Sequence, residues 1–357
     1  MRSQAKCIIL VYNTPVARRI TTTEIASETG YHQTTVSRAL KNHPAIPKKT
    51  CEVIQKAARK LGYTPDPALS ALSRYRKELK ASSYQGIIAL ISNRPSALAW
   101  RKHFIGKLYY KGLKRQAAKL GYEIEEFSLN PKAMRTEQFH RISRAKNIKG
   151  IILGRLHKDF PMVELDWDRY SVVSLGSTLP ENPFSRVAPD LYLASYQLME
   201  KLINQGYRKF GLLVIREVDE RMDRANAAGV GRACWEYPNE IEVHRYFPSL
   251  QEWNCENVTR WVNEVRPEVI VTSHDEVLEW LRKMKLRVPG DIGMAHFNCR
   301  SREGKITGIF QNPESVGEAA VVMLAGMLEC NRLGIPQLSH KLLIPGTWIR
   351  GKTTRRV

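Results

Sequence analysis

At 357 residues the chain is long enough for two or three hydrophobic cores. Its 43% apolar and 25% charged content excludes wholesale disorder, and no apolar run approaches the ~18 residues of a helical membrane span. The formal net charge of +21 points to a polyanionic partner, nucleic acid before an anionic membrane. The excess is uneven: residues 1–85 hold 15 Lys and Arg against 5 Asp and Glu, and residues 86–357 hold 41 against 30. Six scattered cysteines, with no CxxC and no His at zinc spacing, read as reduced thiols of a cytoplasmic protein.

Residues 1–19 read as an arm ahead of the first folded domain. Their apolar stretch Cys7–Tyr12 is shorter than the core of a usual signal peptide. Thr21 with Glu24 three residues on predicts a capping box opening a helix to about Thr29, and Gly30 supplies a turn. A second helix, about His32 to Lys41, buries Val36, Ala39 and Leu40 and turns Gln33, Thr34, Ser37 and Arg38 outward. A third, about Lys48 to Leu61, places Cys51, Ile54, Ala57, Ala58 and Leu61 on one face, with Gly62 as its stop. Such a polar second helix suits the major groove. Gln and Arg pair bidentately with adenine and guanine edges, and Ser or Thr reaches phosphates or thymine methyls.

After Pro65 and Pro67 comes Ala68-Leu-Ser-Ala-Leu72, then the basic Ser73-Arg-Tyr-Arg-Lys77. A helix this short is far below the ~12–15 residues that hold alone in water. It is expected to order only when docked, with Leu72 wedged between base steps of the minor groove; the alternative is a plain linker.

The runs T-x-x-E-I-A, G-x-x-x-x-T-V-S-R-A-L and L-G-Y-x-P-x-P, spread over residues 20–76, resemble the DNA-binding headpiece of the LacI/GalR family of bacterial transcription regulators. The resemblance implies that Gln33, Thr34 and Arg38 read bases, that Thr21, Thr35 and Ser37 hold phosphates, and that Leu72 with Arg74 serves the hinge. Pro67 and Ser70 depart from the family's hinge pattern.

From Gln85 onward apolar strands alternate with amphipathic helices. Strands are expected at 87–91, 122–127, 150–153, 170–175, 209–214, 241–247, 268–272, 291–297 and 341–345. Helices are expected at about 104–120, 134–146, 191–205, 221–235, to 264, 275–285 and 313–333. The alternation predicts an α/β fold of two lobes with parallel sheets, ligand binding at the carboxyl ends of the strands. Segments such as 187–213, 288–298 and 309–324 resemble the same family's effector core, itself similar to periplasmic (type I) sugar-binding proteins. The organisation expected is therefore an arm at 1–19, a helix-turn-helix domain at 20–64, a hinge and linker at 65–84, and a core at 85–357. The core's lobes are expected at about 85–186 plus 312–345, and at 187–311.

The pocket departs from the family. Where it commonly has an Arg and an Asp gripping sugar hydroxyls, this chain has Asn226 and Asn298. Neutral amides replace a charged clamp, so the ligand is a sugar or polyol, or a molecule of another kind. Ser92, Asn93, Asp190, Asp275 and Gln311 complete the candidate effector residues. Residues 346–353, GTWIRGKT, fit a phosphate-loop pattern, but the four residues after it cannot form the helix that pattern requires; a last strand and basic tail is expected instead.

No catalytic motif, metal cluster or cofactor fingerprint appears in the sequence, so no catalytic residues, metal or cofactor is expected. The expectation is a homodimeric regulator, a repressor, binding a pseudopalindromic double-stranded operator and a small-molecule effector, with no membrane partner. A nucleoid-type protein without base preference, or an α/β sugar-modifying enzyme fused to a DNA reader, are the rival readings.

Overall fold

The computed structural model describes residues 20–64, 84–96, 101, 104–130, 132–154, 156, 163–177 and 182–355. The chain divides into two compact units between Ala81 and Ser82.

The first unit holds α1 (Thr22–Thr29), α2 (Gln33–Ala39) and α3 (Lys48–Lys60). Thr21 caps α1 in a complete capping box with Glu24, and Gly30 ends it at φ 71. Left-handed backbone of this kind favours glycine. His32 caps α2 by accepting from the Thr34 backbone. Ile25, Val36, Ala39 and Ile54 are wholly buried at the centre of the bundle, with Cys51 and Ala58 beside them. Each large apolar side chain so buried contributes roughly 1.5–3 kcal/mol. The Gln55 amide joins α3 to the end of α2, donating to Ala39 O (3.0 Å) and Asn42 Oδ1 (2.6 Å).

The second unit contains two sheets. The first comprises β1 (Gly86–Ser92), β2 (Tyr122–Ser128), β3 (Gly150–Leu153), β4 (Ser171–Leu175), β5 (Ser185–Pro189) and β11 (Lys341–Ile344), in the order β11-β5-β4-β3-β1-β2. Its strand pairs are all parallel. Side chains alternate between two buried faces, as a parallel sheet covered on both sides requires. Ile88 and Leu90 pack under α4 (Phe104–Lys119) and α11 (Pro313–Glu329), while Ala89 and Ile91 meet Phe139 of α5 (Thr136–Ala145). Helices α4 and α11 cross so closely that a Cβ on Gly112 would collide with the Glu314 carbonyl.

The second sheet comprises β6 (Lys209–Leu213), β7 (Glu242–Tyr246), β8 (Val269–Thr272), β9 (Gly293–His296), β10 (Thr307–Phe310) and β12 (Thr347–Ile349), in the order β12-β10-β9-β8-β6-β7. Helices α6 (Leu191–Asn204) and α8 (Ala225–Glu236) cover one face, and α9 (Cys255–Val265) with α10 (Glu276–Lys283) the other. The chain therefore passes between the sheets three times: after β5, after β10 and after β11.

Three expectations need correction. The single helix at 221–235 is two, α7 (Arg216–Arg221) and α8, because Asp223 (φ 56) and Arg224 (φ 52) take left-handed backbone between them. Residues 185–189 and 307–310, not expected as strands, form β5 and β10. The last strand is present as β12, antiparallel to β10, but the tail after it is not merely basic. Thr353 and Thr354 are buried: Thr353 Oγ1 accepts from Thr307 N (2.9 Å) and donates to Met294 O (2.6 Å).

Candidate functional site

On the first unit, Gln33, Thr34 and Arg38 of α2 are exposed, whereas Thr35 and Ser37 are half-buried. The Gln33 amide donates to Thr22 Oγ1 at 3.1 Å, and Thr34 Oγ1 lies 2.9 Å from His32 Nδ1. Thr21 is exposed, yet its hydroxyl and backbone N–H both face Glu24 Oε2, at 3.0 and 2.6 Å. Leu72 and Arg74, with the whole hinge, lie outside the described residues. His32 as the α2 cap and Gln55 as the α3 strut were not anticipated; a His before Q-T-T is a recognisable capping signal only in retrospect.

In the second unit the candidate residues gather where the strands end. Ser92 ends β1 and Asn93 follows it, both buried; Asn93 O accepts from Asn130 Nδ2 at 2.9 Å. Gln311 follows β10 and donates to Phe297 O at 3.2 Å. Asp190 follows β5, where its carboxylate caps α6 through Leu193 N (2.9 Å). Asn226 is buried on α8, with Oδ1 3.0 Å from Ser195 Oγ. These last two carry structural work of their own.

Asp275 and Asn298 belong to a denser cluster after β8 and β9. Asp275 pairs with Arg300 on one oxygen and faces Nε2 of buried His296 at 3.3 Å on the other. The Asn298 backbone N–H donates to His296 Nδ1 at 2.9 Å, so the neutral ring carries its proton on Nε2, toward Asp275. Burial holds His296 down to about 4; Asp275 opposes that shift, and His274 and Arg300 add to it. Beside it, Glu276 is held at about 2, first by the His274 imidazole (Nδ1 to Oε1 3.6 Å) and further by the Trp253 indole N–H (2.8 Å), against the opposing cost of burial. Asp219 on α7 is buried, which raises its carboxyl against the Ala227 N–H and Arg224.

Several buried polar atoms make no hydrogen bond among the described residues: Ser92 Oγ at the end of β1, Asp219 Oδ1 on α7, Ser273 Oγ and His274 Nε2 after β8, and Asn298 Oδ1 after β9. Buried polar atoms left so cost roughly 1–3 kcal/mol each, which makes this end of the strands the candidate ligand site. Asn298 and Ser92 are legible as candidates in the sequence, whereas Ser273, His274 and Trp253 are not. In V-T-S-H-D-E the conspicuous group is the Asp275 carboxylate, which the fold spends on Arg300 and His296. Among the described residues no group of His, Cys, Asp and Glu could hold a metal ion, and no helix is long and apolar enough to cross a membrane.

Two six-stranded, mostly parallel sheets joined by three crossings, with polar atoms converging at the strand ends, define a two-lobed effector-binding protein that also carries a helix-turn-helix unit. Residues 199–354 match the periplasmic binding protein-like domain, and residues 21–66 match the bacterial regulatory proteins of the lacI family. The chain thus carries a lacI-family DNA-binding domain followed by a periplasmic binding protein-like domain, the two parts of a DNA-binding transcription regulator. It is 25% identical over 363 residues to the NTD biosynthesis operon regulator NtdR of Bacillus subtilis, covering 90% of this chain and 97% of that one. It is 28% identical over 144 residues to the regulator AglR of Rhizobium meliloti, covering 40% and 37%. Among solved structures, the lac repressor dimer bound to operator and the anti-inducer ONPF shares the fold at TM-score 0.54 and 17% identity, over 94% of this chain and 99% of that chain. The cellobiose complex of the regulator CelR does so at TM-score 0.54 and 17% identity, over 94% and 100%.

Proposed function

We propose that the protein is a homodimeric cytoplasmic repressor whose affinity for a pseudopalindromic operator is set by a sugar or related polyol held between the two lobes. The observation that carries the effector class is the set of buried hydroxyls and acceptors after β1, β8 and β9. Ser92 and Ser273 can donate or accept, and Asn298 Oδ1 accepts. A polyhydroxyl ligand supplies the matching groups, and these neutral side chains suit it better than an anion. The solved relatives bound to cellobiose, and to ribose in a regulator from Enterococcus faecium, support the same class.

On the DNA side, Gln33, Thr34 and Arg38 are the base readers, and Thr21, Thr35 and Ser37 the phosphate contacts. Thr21 serves through the rim of its capping box. Two copies would read half-sites one helical turn apart, and effector binding shifts operator affinity through linkage between the two equilibria.

A competition gel shift tests this, with a pseudopalindromic duplex that the protein itself selects from a randomised pool set against random duplex, with and without cellobiose or ribose. A preference of ~10³ or more is expected; a ratio near one rejects sequence-specific reading. Light scattering of the purified chain is expected to give twice the monomer mass, and a monomer at micromolar concentration overturns the dimer.

A further inference from the structure

Trp253 just ahead of α9, Glu276 at the start of α10 and His274 on the loop after β8 stand in series. The Trp253 indole N–H donates to Glu276 Oε1 at 2.8 Å, and the same oxygen faces His274 Nδ1 at 3.6 Å. The Trp253 and His274 rings pack with centroids 4.4 Å apart. At 3.6 Å the carboxylate is beyond ordinary hydrogen-bond length, but an ionised oxygen still repels a ring lone pair and attracts an N–H. In its neutral form the His274 ring therefore carries its proton on Nδ1. That leaves a lone pair on Nε2, the buried atom without a partner among the described residues. Its neighbour His296 does not supply a proton, because its own Nε2–H faces Asp275 at 3.3 Å.

We propose that Glu276 and Trp253 are positioning residues that lock His274 as a hydrogen-bond acceptor, and that His274 selects effectors presenting a hydroxyl or amine donor over anionic ones. The proposal rests on the effector site described above and narrows what that site accepts. It follows the general behaviour of histidine, whose free nitrogen is donor or acceptor according to what the other nitrogen meets. Asn298 Oδ1, on the loop after the adjacent strand β9, is a second buried acceptor without a partner among the described residues. The two together ask for donors from the ligand. A phosphate or carboxylate brings only lone pairs to them.

Two measurements on the full-length protein separate this from the wider effector reading. Long-range ¹H–¹⁵N correlation at pH 7.5, with the His274 signals assigned by their loss in His274→Gln, reports the tautomer without any ligand. The Nδ1–H form is expected, giving way to a mixture in Glu276→Gln; an Nε2–H ring, an imidazolium, or no response to Glu276→Gln overturns the relay. Titration calorimetry then uses cellobiose, ribose, glucosamine and glucose 6-phosphate. The neutral and amino sugars are expected to bind at least tenfold tighter than the phosphate. His274→Phe should weaken the best of them about tenfold, with His274→Gln, which keeps an acceptor, recovering most of the loss at unchanged melting temperature. Preference for the phosphate, or a His274→Phe variant that is folded and binds equally well, overturns the selectivity. No binding by any sugar, with the tautomer as stated, rejects the sugar effector while leaving the relay standing.

Discussion

The buried imidazole of His296 lies 3.3 Å from Asp275 Oδ1, while Arg300 holds the other oxygen of the same carboxylate. Asp275 favours a charged ring, but burial outweighs it and brings His296 down to about 4 from its ordinary 6.5. The folded protein thus binds fewer protons than the unfolded chain between these values. Its stability is full above about pH 6.5 and falls as pH drops toward 4, by on the order of 1.4 kcal/mol per unit. Urea midpoints of the wild type at pH 7, 6, 5 and 4.5 should fall more steeply than those of His296→Gln. Parallel slopes would remove His296 as the source.

Helices α4 and α11 provide a contrast between two glycines. A Cβ on Gly112 meets the Glu314 backbone, whereas one on Gly326 meets nothing within 4 Å. Gly112→Ala should therefore destabilise by about 2–3 kcal/mol. Gly326→Ala, exposed in the same helix pair, should be neutral or stabilise by roughly 0.5–1 kcal/mol through backbone entropy. Thermal melts of the two variants decide it, and equal shifts would contradict the close crossing.

Thr353 replaced by Val keeps the volume but orphans the buried Thr307 N–H and Met294 C=O that the hydroxyl serves. A loss of about 2 kcal/mol is expected, with Thr353→Ser recovering most of it. Chemical denaturation monitored through the second unit's tryptophans checks this; an unchanged midpoint would mean the tail contributes nothing.

Arg38 is exposed on α2, so Arg38→Ala should leave the headpiece fold intact while costing about 1–3 kcal/mol at one base position. Selection from a randomised half-site should show relaxed preference at that position. Uniform weakening across all sequences would reassign Arg38 to the phosphates.

What could be read from the sequence was whatever one short segment decides by itself. Thr21 with Glu24, Gly30, Gly62 and the alternating apolar runs act through neighbours three or four residues away, and their helices and strands stand where expected. The site was less legible because its side chains are assigned by distant partners. Asp190 is consumed by a helix cap, Asn226 by Ser195 and Asp275 by Arg300, while His274 is left with an unspent nitrogen only because Glu276 and Trp253 claim the other side of its ring. The break between α7 and α8 was hidden for a different reason. Asp223 signals left-handed backbone far more weakly than glycine would, and Arg224 does not signal it at all.

The three passages of the backbone between the sheets have a kinetic corollary. β11 pairs with β5 across more than 150 residues, and β12 closes a sheet that β6 opened. Neither lobe is therefore a continuous stretch of polypeptide able to mature while the other is still unmade. Long closures of this kind slow folding, and they bind the two halves into one cooperative transition. A chain cleaved between the lobes should lose both together.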